Sequence, residues 1–167
     1  RKSRELQIPI YGVASKCVFG DFSSKFIEES KSTLNKWLDI TNSLNAPLLR
    51  ISIAGDDLRN PEHQTIVFKT LASVLKENRY PKIRVGIENQ EPGVVQNSAD
   101  VIKMRKESDN LLWLILDNGS FINKSDSYDF LKENIGVSAV VHTKFFDINK
   151  DGSDNVLDYN RIRNIII

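Results

Sequence analysis

Residues 83–88 read Ile-Arg-Val-Gly-Ile-Glu, residues 111–117 read Leu-Leu-Trp-Leu-Ile-Leu-Asp, and residues 137–142 read Val-Ser-Ala-Val-Val-His. Each is a short apolar run, over Ile83 to Ile87, Leu111 to Leu116 and Val137 to Val141, closed by a side chain that binds metals: Glu88, Asp117 and His142. The closing residues are 29 and 25 positions apart, about the length of one strand with its crossover helix. In a parallel α/β fold the carboxyl ends of all strands open onto one face. The spacing therefore predicts three side chains converging from adjacent strands. Taken singly, Glu88 and Asp117 read equally well as turn residues, and His142 as a histidine at a sheet rim. Three such residues at one structural position point instead to a divalent ion such as Mn²⁺, Mg²⁺, Co²⁺ or Zn²⁺, which carboxylate oxygens and neutral imidazole both suit.

Outward from these runs the chain keeps alternating short apolar stretches with longer amphipathic ones, the pattern of βα units on a mainly parallel sheet. Ile8 to Ala14 reads as a first strand. From Phe22 to Leu44, residues Phe26, Ile27, Leu34, Trp37, Leu38, Thr41 and Leu44 share one helical face, and Asn45-Ala46-Pro47 stops the helix. Leu48 to Ile53 is the second strand, closed by Ala54-Gly55. Asn60-Pro61 supplies a cap and a proline for the first helical turn, before a buried face of Ile66, Val67, Leu71, Val74 and Leu75. Tyr80-Pro81 breaks the chain before the third strand, and Asn97-Ser98 caps a helix carrying Val101, Ile102 and Met104. The run Leu111 to Leu116 is apolar enough for a strand covered on both faces. A short helix over Asp126 to Asn134, the fifth strand, a polar stretch from Phe146 to Asn155 and a last helix from Asp158 complete the order.

Composition bounds the function classes. The 167 residues contain 23 basic and 22 acidic side chains, with 40% apolar residues, so the chain reads as a globular domain, without the polycationic balance of a nucleic-acid binder. A single cysteine, Cys17, rules out an internal disulfide framework and favours a reducing, cytoplasmic setting. No run reaches membrane-spanning length, and no apolar signal core follows Arg1-Lys2-Ser3-Arg4. Neither nucleic acid nor membrane is expected as a partner. The sequence contains no Gly-x-Ser-x-Gly, no phosphate-binding P-loop and no Gly-x-Gly-x-x-Gly. Cys17 reads as a small apolar packer, and His63 as an exposed residue in the first turn of a helix.

The strand-end segments Ile87-Glu88-Asn89, Leu116-Asp117-Asn118-Gly119 and Val141-His142-Thr143-Lys144 resemble the successive motifs of the sugar phosphate isomerase/epimerase superfamily, the xylose-isomerase-like TIM barrels. The segment from Trp37 to Ile53, with Leu-Asn-Ala-Pro-Leu-Leu-Arg-Ile, resembles the helix and strand that precede those motifs. The resemblance covers roughly Ile8 to Ile162. It implies an α/β fold, a parallel (β/α) barrel of TIM type, incomplete here because a full barrel takes about 250 residues. On this reading residues 1–167 form one partial barrel domain corresponding to strands three to seven.

The resemblance further implies a metal-dependent sugar or sugar phosphate isomerase or epimerase of carbohydrate metabolism. Glu88, Asp117 and His142 would be three metal ligands, with Glu88 also one acid/base. The pattern's second glutamate, from an eighth strand, has no counterpart in the sequence. Ser120 stands where relatives often place His or Asn. Lys144 follows a His-x-Lys pattern and would stabilise an anionic enediolate, and Gln90 would line the pocket. The barrel endonucleases that bind three zinc ions would need more than the two histidines present. A five-strand section leaves two open sheet edges, so self-association through them or through Ile165 to Ile167 is expected, with no catalysis by the chain alone.

A different class competes. Asp147-Ile148-Asn149-Lys150-Asp151-Gly152, with Asp158 at the twelfth position, has the spacing of a calcium-binding loop, although the residues before it read as strand where such loops follow a helix. A calcium-binding module is thus the alternative reading, and a catalytically silent barrel-like scaffold the third.

Overall fold

The computed structural model describes residues 5–19, 24–53, 60–90, 93–121 and 127–167. Five strands, β1 (Val13–Phe19), β2 (Leu48–Ile53), β3 (Arg84–Glu88), β4 (Leu112–Asp117) and β5 (Ser138–His142), pair in parallel in the order of the sequence. The helices are α1 (Ser24–Ser43), α2 (Pro61–Lys76), α3 (Ser98–Glu107), α4 (Ser127–Asn134) and α5 (Tyr159–Ile166). Strictly sequential order is what a barrel demands, because a doubly wound open sheet reverses direction at a switch point. The barrel is not closed: among the described residues β1 and β5 each pair on one side only.

Caps place the helices where the sequence predicts them. Asn60 accepts from the Glu62 N–H at 2.9 Å, with Pro61 in the first turn, where its missing N–H has no consequence. Asn97 and Asp100 form a reciprocal capping box at the start of α3. Asp158 accepts from the Arg161 N–H at 3.0 Å at the start of α5. At the end of α1, Asn45 takes φ of 54°, the left-handed conformation that closes a helix, and the Ala46 N–H bonds back to the Thr41 carbonyl.

Alternation along the strands then divides the two faces of the sheet. Leu49, Ile51 and Ile53 of β2, Val85 and Ile87 of β3, and Leu112, Leu114 and Leu116 of β4 join Leu34, Leu38, Phe68, Leu71, Met104 and Leu131 of the helices in one core. Burying each such side chain stabilises the fold by about 1.5–3 kcal/mol. The other face carries Leu48, Arg50, Gly86, Ile115, Glu88 and Asp117. There Gly86 is required by its neighbour, since a Cβ at that position would stand 2.7 Å from Ile115 Cγ1.

Several sequence expectations need correcting. The first strand lies at Val13–Phe19, not Ile8 to Ala14, and Leu6, Ile8 and Tyr11 are exposed. The buried face of α2 is Val67, Phe68, Leu71, Ala72 and Val74, whereas Ile66 is 45% exposed. Ile102 and Leu44 also face outward. His63 is half-buried, not exposed. Ile165 packs against the core, while Ile166 and Ile167 are exposed. The side chain of Phe26, and Phe22, Ala54, Gly55 and Asp126, lie outside the described residues. Cys17 is buried, and desolvation pushes its thiol up to about 11, which keeps it a protonated packing group.

Candidate metal centre

Strand register explains how three residues far apart in sequence meet. Asp117 and His142 are direct partners across β4 and β5, so their side chains leave the sheet at the same height. Glu88 pairs with Ile115, two residues below Asp117, and its longer side chain makes up part of that stagger. The structure brings all three together: each offers a donor atom, and these atoms lie within 4.8 Å of one another. Among the described residues no other group of three or more His, Cys, Asp or Glu side chains does so.

Each carboxylate oxygen in this group already has a partner. Glu88 Oε1 faces His142 Nδ1 at 2.8 Å, and Glu88 Oε2 faces Arg50 Nη2 at 2.7 Å. Asp117 Oδ1 accepts from the Gly119 N–H at 2.8 Å, and Asp117 Oδ2 meets Lys144 Nζ at 2.5 Å. Arg50 reaches Glu88 from β2, where its register partner is Gly86, again two residues lower. Asp117 is almost wholly buried while His142 is 42% exposed, so solvent reaches the group from the histidine side.

Asn89 holds the two acidic strands together. Its side-chain amide donates to the Asp117 carbonyl at 2.9 Å and its Oδ1 accepts from the Asp117 N–H at 2.7 Å, with Asn89 fully buried. Next to it, Asn118 Oδ1 accepts from the Lys144 N–H at 3.1 Å, fixing the segment after β5. Neither asparagine, nor Arg50, is singled out by the sequence reading. The available signal was an arginine inside the apolar run Leu48 to Ile53 and an amide directly after each acidic strand end. Gln90 lies in a crevice that Arg50, Glu88 and Gly93 also line. Below the carboxylates an open groove of about 610 Å³ runs along the sheet, lined by Val13, Leu48, Arg50, Arg84, Ile115 and His142 among others.

The donor set fits a first-row divalent ion. Two donors bound at about 2.0–2.2 Å to one ion stand no more than about 4.4 Å apart. The observed spread therefore calls for a contraction of a few tenths of an ångström, and for the carboxylates to exchange present partners.

The calcium-like loop is held by its own acidic groups. Asp154 accepts from the backbone N–H groups of Phe146, Asp147, Val156 and Leu157, and Asp151 accepts from Ser153. Asn155 donates to Asp147 Oδ2 at 2.6 Å, and Asp158 is engaged in capping α5. For Asp154, desolvation raises the carboxyl pKa, but the four N–H donors outweigh it and the net shift is downward. A depressed pKa means stability that is present above the unfolded value of about 3.9 and lost as pH falls through the folded one. Protection of the Phe146, Asp147, Val156 and Leu157 amides, taken relative to the intrinsic exchange rate at each pH, is thus expected to fall below about pH 4. Unchanged protection in acid, or in Asp154→Asn, would contradict this account of the loop.

No family profile and no curated protein matches the chain in sequence; the similarity lies in three dimensions. The architecture is that of a section of a parallel (β/α) barrel of TIM type. Solved structures of sugar isomerases and epimerases share it. An L-ribulose 3-epimerase aligns with a TM-score of 0.78 at 15% identity, over 99% of this chain and 60% of that one. The D-psicose 3-epimerase of Clostridium cellulolyticum H10, solved with D-tagatose, gives 0.74 at 12%, over 98% and 63%. A xylose isomerase-like TIM barrel protein of Mycobacterium smegmatis, in complex with magnesium, gives 0.73 at 10%, over 98% and 64%. The chain thus spans about three fifths of the length of these structures, and its fold is the one expected from the strand-end motifs. No helix among the described residues is long and apolar enough to cross a membrane.

Proposed function

We propose that this chain is the metal-binding part of a sugar or sugar phosphate isomerase or epimerase of carbohydrate metabolism. The carrying observation is the convergence of Glu88, Asp117 and His142 at the carboxyl end of adjacent strands, on a fold shared with ketose 3-epimerases. Isomerisation or epimerisation removes a proton from the carbon beside a carbonyl, and the difficulty is the negative charge left on oxygen. A divalent ion of the Mn²⁺, Mg²⁺, Co²⁺ or Zn²⁺ type supplies Lewis acidity at the substrate oxygens when bound.

The chain's own residues supply part of the remaining work. Glu88 is one of the two acid/bases that inversion at carbon needs and moves the proton on one face of the substrate, its carboxylate held by Arg50 on one oxygen and His142 on the other. Asp117 and His142 hold their places through the shared register of β4 and β5. Lys144, half-exposed at the same rim, offers a positive charge to an enediolate oxygen.

The test is deuterium exchange from solvent into the carbon beside the carbonyl of a ketohexose, with Mn²⁺ added. It is run on the 167-residue chain alone and with βα units added to complete eight strands. Exchange is expected in the eight-stranded protein and not in the chain alone. Glu88→Gln is expected to lower it by at least about 100-fold, the lower end of what a positioned acid/base contributes. Exchange that survives Glu88→Gln, or that needs no divalent ion, would overturn the proposal.

A further inference from the structure

Lys144 stands in an unusual relation to the metal ligands. Its ammonium lies 2.5 Å from Asp117 Oδ2, while the other oxygen of that carboxylate is held by the Gly119 N–H. Asp117 is 2% exposed and has no third oxygen to offer. An ion entering between Glu88, Asp117 and His142 takes Oδ2 only in competition with the ammonium, or else shares Oδ1 with the Gly119 N–H that ties Asp117 to the 3₁₀ turn over Asn118–Phe121.

Lys144 is built to give way. Its backbone is pinned at both ends, the N–H by Asn118 Oδ1 and the carbonyl by the Tyr159 hydroxyl, with Phe145 stacked on the Tyr159 ring at 4.3 Å. The side chain beyond that anchor is 51% exposed, which leaves the ammonium room to turn into water while the backbone stays anchored. Arg50 differs. It holds Glu88 Oε2, and the other oxygen, Oε1, is paired with His142, itself one of the three groups that would meet the ion.

We propose that Lys144 is a tethered competitor for the metal, neutralising Asp117 when no ion is bound and vacating Oδ2 when one arrives. The released ammonium then stands on its anchor at the rim of the site, placed for an anionic oxygen of the substrate. Arg50 plays the opposite part, a positioning residue whose grip on Glu88 favours the ion. This rests on the metal-site reading above, and the two fail in different ways.

The experiment is calorimetric titration of the metal-free chain with Mn²⁺, comparing the wild type with Lys144→Met, Arg50→Met and His142→Ala. Lys144→Met is expected to bind Mn²⁺ more tightly by about tenfold, the equivalent of about 1.4 kcal/mol, while Arg50→Met binds more weakly. A general effect of removing positive charge would tighten both variants alike and would overturn the proposal. A second readout needs no variant: acetylation of the Lys144 amine by acetic anhydride is expected to speed up several-fold when Mn²⁺ saturates the wild type. Equal or weaker binding by Lys144→Met, or an amine whose reactivity Mn²⁺ leaves unchanged, would refute competition while His142-dependent binding kept the metal site. Absence of His142-dependent binding in every variant would refute the site itself.

Discussion

Replacing Asn89 with alanine is expected to lower the unfolding free energy by about 2–6 kcal/mol, although Asn89 is not one of the three proposed metal ligands. Its amide satisfies both backbone groups of Asp117 at the end of β4, inside a region where Asn89 is fully buried. Alanine leaves a buried N–H and a buried C=O without partners, each costing about 1–3 kcal/mol. For a chain of this size that corresponds to a fall in Tm of roughly 4–24 °C, read by thermal denaturation. Asn89→Asp separates the two halves of the account, since it keeps an acceptor for the Asp117 N–H but sets a carboxylate against the Asp117 carbonyl. It is expected to be destabilising as well. A loss under about 1 kcal/mol for Asn89→Ala would show that water replaces the amide and that the bridge is dispensable.

The second large effect concerns metal selectivity. His142→Ala is expected to weaken Mn²⁺ binding by more than the roughly 10–100-fold that outer partners of metal ligands contribute, because it removes a donor outright. Mn²⁺ and Zn²⁺ are expected to bind better than Ca²⁺, which prefers six to eight oxygen ligands and gains little from imidazole. Asp151→Ala, in the loop whose carboxylates are occupied by their own N–H and hydroxyl donors, is expected to change neither affinity. Tight Ca²⁺ binding lost in Asp151→Ala and retained in His142→Ala would favour the calcium-module reading.

Much of the fold was legible in the sequence because local chemistry set the boundaries. Asn60-Pro61, Asn97-Ser98 and Asp158 mark helix starts through side chains that satisfy orphan N–H groups, and each cap is present in the structure. Leu111 to Leu116 reads as a strand buried on both sides, and the strand found there spans Leu112–Asp117. The first strand was misplaced for a physical reason. Ile8 and Ile10 alternate suitably, but Pro9 cannot donate to a ladder, and the core instead takes Cys17 and Phe19 from a segment whose polar residues hide its pattern. On α2 and α3 the apolar count exceeds the width of the stripe a helix buries, and nothing in periodicity tells that Ile66 and Ile102 are the ones left outside.

The convergence of Glu88, Asp117 and His142 was legible because strand ends in a parallel sheet share a face. The partners around them were not. Arg50 reaches Glu88 diagonally across two residues of register, Asn89 acts on backbone groups, and Lys144 turns back onto Asp117 through contacts made by Asn118 and Tyr159. Those relations depend on register and side-chain direction, which strand patterning alone leaves open.

The most direct test of the central claim is anomalous X-ray scattering from crystals of the chain soaked in Mn²⁺. One strong peak is expected within about 2.0–2.3 Å of a Glu88 oxygen, an Asp117 oxygen and a His142 nitrogen, with the Lys144 ammonium moved off Asp117. A peak in the Asp147 to Asp158 loop, or none between the three strand ends at saturating Mn²⁺, would contradict it.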